Sequence, residues 1–449
     1  MTSAWNRALV LGLGESGEAA ARLLRAEGVE VAAADGADTP ALREKAGLLA
    51  REGVAVSLGA HPLPGGDFDV AVVSPGLPPA SPWLQEIQRR GIPAVSELEL
   101  GWSRRTCRVV AVTGSNGKST AVKWLAESLE QAGLRAVPAG NYGAAICRVA
   151  REQPGLDWLV LEVSSFQLET VDTFRPEVGV MLNILPNHLD RHGSMEAYAA
   201  LKARLFARAL PSDICLVPAA RRDEVRALSG GGGRWLTFGT GPESDYQWRN
   251  GRVWRGGAAR ADLRGTRFDN DVLGPAAAAV VAAAEACGAE AACVERAARA
   301  FQPLPHRMQK VAEGRGVWWV NDSKATNVAA LVAGLRMAGR PVRLIAGGLA
   351  KETDFTPARE ALRDVARGVY LIGRAAEAMR RAWADVVPCE LCGTLDVAVR
   401  RAAENAVAGE TVLLSPACTS YDQYKNYGER GEHFGRCARA WVAGAAEGA

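Results

Sequence analysis

The stretch "VVAVTGSNGKST", residues 109–120, decides how this chain is read. A run of β-branched apolar residues ends in a glycine-bearing turn, and Lys118, Ser119 and Thr120 open the next segment. That order is strand, phosphate-binding loop, helix. Gly114 and Gly117 let the backbone bend around phosphate oxygens, with Ser115, Asn116 and a helix N-terminus beside them. The common pattern G-x-x-x-x-G-K-[ST] asks for glycine at position 112, where this chain has Val112, so the loop is not the standard one. Its chemistry is nevertheless complete: Lys118 can reach the β and γ phosphates of a triphosphate, and the Ser119 hydroxyl can sit on Mg²⁺, with Thr120 as a second hydroxyl nearby. A chance match between a buried strand and a helix is the weaker reading.

Outward from the loop, short apolar runs alternate with amphipathic alanine-rich segments, the pattern of parallel sheets with crossover helices. Upstream, residues 8–35 read as strand, glycine turn, helix, strand, and "FDVAVVSPGLPP" (68–79) and "IPAVSELEL" (92–100) complete a first block ending near residue 99. Gly12, Gly14 and Gly17 form G-x-G-x-x-G in that block, and Asp35 ends the next strand at about the spacing of a ribose contact. A nicotinamide dinucleotide would fit, but so would any ligand with a pyrophosphate.

Downstream, "DWLVLEVSS" (157–165) and "VGVMLNIL" (178–185) are further buried strands, and the glycine run 230–233 reads as a flexible surface loop. A helix is predicted from Pro275 to Gly288. The prolines of "FQPLPHR" (301–307) mark a linker, and five strands separated by helices follow. The expected organisation is three α/β domains, at 1–99, 100–303 and 304–449.

Composition fits this picture. A chain of 449 residues, 48% hydrophobic, is too long for one core and too apolar for widespread disorder. A net charge of +3 makes no case for nucleic acid or a membrane surface. The first residues do not form a secretory signal and no window reaches membrane-span length, so a cytoplasmic protein with reduced thiols is expected. Of the nine cysteines, Cys389 and Cys392 form C-x-x-C, but no second pair or histidines at metal spacing stand out, so they read as ordinary thiols.

Two polar clusters complete the candidate site. Glu162 ends an apolar strand, where a magnesium carboxylate sits in phosphate-loop folds. "NHLDRHGS" (187–194) follows the next strand; Gly193 argues for a loop over a helical zinc pair, and His188 is a candidate ligand for a second ion or a substrate contact.

Several strings in order, GLGESG, SPGL, TGSNGKST, GNYG, LEVSSFQLE, NHLDRHGS, HRMQ, NDSKATN, GGLAKETDF and SPACTSYDQY, resemble the Mur ligase family over essentially the whole chain. TGSNGKST is similar to that family's shortened phosphate loop, in which Val112 need not be glycine. The resemblance implies a uridine-nucleotide domain, a central ATPase and a C-terminal domain that brings an amino acid. The strings around Lys324 and Ser420 resemble members that add D-glutamate to UDP-N-acetylmuramoyl-L-alanine, and the D-N-P-R run of members adding diamino acids is absent.

The implied reaction makes an acyl phosphate from ATP and a carboxylate, then an amide. Gly14, Glu15, Ser16, Gly17, Asp35, Ser74, Pro75, Gly76, Asn141 and His188 would then hold the uridine substrate instead of a nicotinamide. Arg307 would stand near the transferred phosphate, Asn270 near the adenine and Asp322 at the ATP ribose. Lys202 would be a CO₂-derived carbamate holding a second Mg²⁺ with His188, although by itself it reads as a solvated helix lysine. Lys324, Thr326, Lys351, Ser420 and Tyr427 would surround D-glutamate, and a monomer is expected. The chain departs from the family pattern at Asn187 and Tyr427, and more seriously at Asp269 and Leu273, which fall on the adenine contact.

Overall fold

The computed structural model describes residues 5–59, 62–78 and 80–447. Strands buried on both faces need helices above and below, and the described residues meet this need with three separate sheets. The first contains β1 (Arg7–Leu11), β2 (Glu30–Asp35), β3 (Ala55–Leu58), β4 (Val70–Val73) and β5 (Ala94–Ser96), all parallel in the order β3-β2-β1-β4-β5. The chain turns back on itself at β1, so a crevice opens where β1 and β4 end.

The second sheet contains β6 (Arg108–Thr113), β7 (Ala136–Gly140), β8 (Trp158–Glu162), β9 (Val178–Met181), β10 (Ile214–Pro218), β11 (Arg234–Gly239), β12 (Tyr246–Arg249), β13 (Arg252–Arg255) and β14 (Ala258–Asp262). Its order is β14-β13-β12-β11-β10-β9-β6-β8-β7, parallel except for the antiparallel β12-β13-β14 meander. The predicted alanine helix is present at Gly274–Ala286 and almost wholly buried. Trp124, from the helix after the phosphate loop, stacks on Phe268 with ring centroids 3.9 Å apart.

The third sheet contains β15 (Gln309–Gly314), β16 (Val317–Asn321), β17 (Val342–Gly347), β18 (Ala366–Ile372), β19 (Cys389–Gly393) and β20 (Thr411–Leu414). It runs β15-β16-β20-β17-β18-β19, with only the edge strand β15 antiparallel. Two Rossmann-like sheets with a phosphate-loop sheet between them in chain order are the architecture expected from the sequence. No helix among the described residues is long and apolar enough to cross a membrane.

One expectation is corrected. The glycine run 230–233 is not a loose loop: a Cβ on Gly231 would lie 1.9 Å from the Phe206 carbonyl oxygen, and one on Gly233 would lie 2.5 Å from Cys215 Sγ. Gly231 and Gly233 are there for close packing, and Gly230 ends the preceding helix with φ +66°. The expected boundary near residue 99 falls within the helix that joins the first sheet to the second. The chain forms two compact units, Met1–Ile184 with Arg191–Phe301, and Leu185–Asp190 with Gln302–Ala449, so the first two sheets share one unit.

The helix Glu97–Ser103 explains that sharing. Gly101 approaches the helix Ile146–Glu152 so closely that a Cβ would sit 2.6 Å from Ile146 Cγ2. The buried Glu97 accepts the Cys147 N–H at 2.7 Å, and Glu99 accepts backbone N–H groups of Asp172, Thr173 and Phe174 at 3.1, 2.8 and 3.2 Å.

Burial pushes the Glu97 carboxyl up to about 7 from its ordinary 4.5, with the Cys147 N–H opposing the shift. Between those values the folded protein holds a proton that the unfolded chain has released. Stability from Glu97 is therefore fully present below pH 4.5 and is lost as pH rises through 7. The expected size is up to about 3 kcal/mol. Denaturant unfolding at pH 5 and pH 8 should show that drop in the wild type, and Glu97→Gln should flatten it. An equal drop in the variant would exclude Glu97 as its source.

Candidate active site

The phosphate loop lies between β6 and the helix Lys118–Gln131. Gly117 caps that helix with φ +86°, a left-handed conformation that glycine adopts without strain. Asn183, just past β9, fastens the loop: its Oδ1 accepts the Ser115 and Asn116 N–H groups at 3.0 and 2.9 Å, and its Nδ2 donates to the Asn116 carbonyl at 3.1 Å. Ser115 Oγ is 3.2 Å from the Tyr198 hydroxyl. The sequence reading missed Asn183 and Tyr198. A polar residue closing the apolar run "VGVML" was the available signal for the first; Tyr198, inside a helix, offered none.

Lys118 Nζ donates to the carbonyls of Gly114 at 2.8 Å and Ser115 at 3.1 Å. Ser119 Oγ donates to Glu162 Oε2 at 2.5 Å, and Asn141 Nδ2 donates to Glu162 Oε1 at 2.6 Å. Neighbouring strands explain this convergence, since β6 and β8 pair in register with Val112 opposite Glu162. The fully buried hydroxyl–carboxylate pair is an all-oxygen donor set, the kind a hard divalent cation prefers.

Lys202 is not a solvated lysine. It is 1% exposed, on the helix Met195–Ala203, and its Nζ donates to the Gly114 carbonyl at 3.0 Å and lies 4.5 Å from the Tyr198 ring centre. Burial, then the Lys118 charge, holds its pKa well below the ordinary lysine value, against the pull of Glu162. One carbonyl oxygen thus accepts from two lysines, which favours keeping one of them neutral.

After β9, residues Leu189–His192 form a single helical turn where a loop was expected. His188 precedes it with φ +55°, a strained conformation of the kind that collects at functional segments. The two histidines do not form a zinc pair. His192 is buried, with Nε2 3.0 Å from Ser165 Oγ and Nδ1 3.7 Å from Glu169. Arg191 makes a forked pair with Glu169, at 2.9 and 2.6 Å, and donates to the Leu77 carbonyl at 3.1 Å.

That last bond reaches the rim of the crevice in the first sheet, a cleft of about 340 Å³ lined by Gly14, Asp35, Ser74, Gly76, Leu77 and Trp83. The helix Glu15–Ala26 starts there with no side-chain cap, and a Cβ on Gly14 would meet only open space. Gly17 is a packing requirement instead, since its Cβ would lie 1.8 Å from the Gly12 carbonyl oxygen. Ser16 lies in the first turn of this helix, and Pro75 lies in the turn after β4. Asp35 braces the glycine turn, accepting the Leu13 and Ala37 N–H groups at 2.7 and 2.9 Å.

Asn270 is turned onto its own loop, accepting from the Val272 and Leu273 N–H groups at 3.1 and 3.0 Å and donating to the Arg267 carbonyl at 2.8 Å. Leu273 then packs on the core as the cap of the helix Gly274–Ala286.

In the second unit, His306 and Met308, either side of Arg307, both have positive φ, at +61° and +45°. Asp322 is buried and accepts the Met308 N–H at 3.1 Å and the Ser415 hydroxyl at 3.0 Å. Lys324 Nζ stands 3.8 Å from the centre of the Tyr427 ring. Thr326 is half-buried, Ser420 buried and Lys351 exposed. Arg430, which the sequence reading passed over, is 1% exposed and donates to Ser323 Oγ and to the carbonyls of Ser323, Cys418 and Thr419, at 2.9, 2.8, 3.1 and 3.3 Å.

Comparisons with known proteins agree in all three regions. Residues 6–96 match the Mur ligase MurD-like N-terminal domain, 112–268 the Mur ligase middle domain, and 306–418 the Mur ligase glutamate ligase domain. The UDP-N-acetylmuramoylalanine–D-glutamate ligase of Acidobacterium capsulatum is 37% identical, over 95% of each chain. Its counterpart from Anaeromyxobacter dehalogenans is 40% identical, over 96% of this chain and 97% of the relative. Among solved structures, the MurF ligase of Thermotoga maritima in complex with ADP shares the fold at TM-score 0.65 and 16% identity, over 98% of this chain and 99% of that one.

Proposed function

The chain belongs to the Mur ligase family, and on that premise we propose that it joins D-glutamate to UDP-N-acetylmuramoyl-L-alanine, consuming ATP, in peptidoglycan precursor synthesis. The observation that carries this reading is the cluster of Lys118, Ser119, Glu162 and Lys202 around one turn of backbone.

The alanyl carboxylate attacks the γ-phosphorus of ATP, ADP leaves, and an acyl phosphate forms. The D-glutamate amine, having lost a proton, attacks the acyl carbon; phosphate leaves, taking up the second proton that the nitrogen gives up, and the amide remains. Two anions must meet in the first step, so cationic and N–H groups have to face them. Lys118 and the N–H groups of Gly117, Lys118, Ser119 and Thr120, at the start of the helix, meet the phosphates, while those of Ser115 and Asn116 are held by Asn183. Ser119 and Glu162 would hold Mg²⁺, which supplies further charge neutralisation when bound.

The neutral Lys202 amine can add to CO₂, forming an N–C bond and losing a proton. The resulting carbamate is an oxygen donor suited to a second Mg²⁺. His188 is assigned to the same ion and to the uridine substrate. Depleting CO₂ and bicarbonate is expected to lower turnover, and adding bicarbonate to restore it; unchanged rates would remove the carbamate from the scheme.

The first-sheet crevice suits the uridine nucleotide, with its pyrophosphate at the N–H groups of Glu15, Ser16 and Gly17 and its remaining contacts from Asp35, Ser74, Pro75, Gly76 and Asn141. Lys324, Thr326, Lys351, Ser420 and Tyr427 are assigned to D-glutamate, whose two carboxylates call for cations and hydroxyls. Arg307 is assigned to the transferred phosphate. Asn270 and Asp322 shape the loops around adenine and ribose, since their hydrogen bonds reach residues 267–273, Met308 and Ser415. We assign the reaction to the cytoplasm, where ATP is available, and to a monomer.

The test is ADP release with UDP-N-acetylmuramoyl-L-alanine and, in turn, D-glutamate, L-glutamate, meso-diaminopimelate and L-lysine. Turnover is expected with D-glutamate alone. Turnover with a different amino acid would relocate the chain within its family, and none with any would mean a non-catalytic nucleotide binder.

A further inference from the structure

The helices Leu395–Asn405 and Tyr427–Glu447 meet at a group of side chains that ligase chemistry does not use. His433 and Cys437 are four residues apart on the second helix and so share one face, and Asp396 comes from the first turn of the other. One donor atom from each, imidazole nitrogen, thiol sulfur and carboxylate oxygen, lies within 4.8 Å of the others. We propose that Asp396, His433 and Cys437 form a binding site for a divalent transition-metal cation, with Zn²⁺ the best match and water in the fourth position.

The geometry is close to what tetrahedral zinc needs. Bonds of about 2.0 Å to nitrogen and oxygen and about 2.3 Å to sulfur set the donors roughly 3.3–3.7 Å apart. Here His433 Nε2 is 3.0 Å and Cys437 Sγ is 3.7 Å from Asp396 Oδ1, each within a few tenths of an ångström of those spacings, and no pair of the three donors is more than 4.8 Å apart. The other imidazole nitrogen, Nδ1, is 2.8 Å from the Tyr424 hydroxyl. A phenol there orients the ring and fixes the tautomer that presents Nε2 to a metal.

On binding, the imidazole proton moves to Nδ1 and is donated to the phenol oxygen, while the Cys437 thiol loses its proton to solvent. One proton is released per metal. The donor set also excludes the ligase's own cation, because Mg²⁺ demands an octahedron of oxygens. H-x-x-x-C spans one helical turn, and its third donor is 37 residues from His433 in sequence, so no single window of sequence displays the set.

The test is a Co²⁺ titration of the full-length untagged protein in Mg²⁺-containing buffer, followed by absorption. A thiolate-to-cobalt charge-transfer band saturating at one equivalent and displaced by Zn²⁺ is expected. Cys437→Ser should abolish the band, Asp396→Asn and His433→Ala should weaken binding at least about 10-fold, and Tyr424→Phe should weaken it by about 10-fold. Asp396 is exposed, so its variant should fold even if the others do not. No band in the wild type, a band that survives Cys437→Ser, or an unchanged affinity in Asp396→Asn would overturn the site. None of these readouts depends on ligase activity.

Discussion

Lys118→Met is expected to lower turnover by about 10²–10³-fold, the usual cost of removing one preorganised donor from developing charge. The lysine begins its helix and folds over the loop carbonyls of Gly114 and Ser115, one side-chain swing from where phosphates would lie. It is only partly buried, so the variant should melt close to the wild type. The change has a second effect. The Lys118 charge helps keep the Lys202 pKa low, so its removal lets Lys202 hold a proton more often and react less with CO₂. Steady-state kinetics at low and high bicarbonate would separate the two effects. Turnover within threefold of wild type would exclude Lys118 from phosphate chemistry.

Arg430→Met is expected to cost about 3–5 kcal/mol of stability. All four of its hydrogen bonds reach neutral oxygens, and burial pushes its pKa down to about 10. Losing the guanidinium strands the Ser323 and Cys418 carbonyls, at roughly 1–3 kcal/mol each before neighbours relax, while the Thr419 carbonyl keeps the Leu349 N–H and the Ser323 hydroxyl keeps the Tyr427 carbonyl. Arg430 also stitches residues 323 and 418–419 to the last helix, and Ser420 and Tyr427 flank these points. Arg430→Lys, keeping the charge but not the fork, should fold and show a raised KM for D-glutamate with little change in the KM for ATP. A loss below 1 kcal/mol in Arg430→Met would mean that the segment closes by other contacts.

Much of this was legible because local chemistry and global fold agree. The phosphate loop, the alanine helix and the long parallel strands each carry their own signal in one window of sequence. The hairpin β12-β13 also had one, the Asn250-Gly251 turn with φ of +49° and +73° between alternating apolar and polar residues, but it was read past. Other features had no local trace. Lys202 looks like any helix lysine until the Gly114 carbonyl, 88 residues away, is brought to its amine. Arg430 sits in "GERGE", which reads as a charged surface turn, and only the third sheet reveals that it is enclosed. Asn270 fits a ligand motif by type, whereas its atoms hold its own turn. Side-chain commitment depends on partners distant in the chain, and one window cannot show it.

The buried helix Glu97–Ser103 bears on how such chains can be recombined. Its two carboxylates satisfy backbone N–H groups at 147 and at 172–174, and Gly101 leaves no room for a larger side chain. A crossover at residue 99 between two relatives would pair one parent's carboxylates with the other's receiving loops. Any mismatch would leave buried donors without acceptors. The first sheet and the phosphate-loop sheet are therefore constrained to be inherited together, and swaps that respect this must carry residues 97–103, 146–147 and 172–174 as a set.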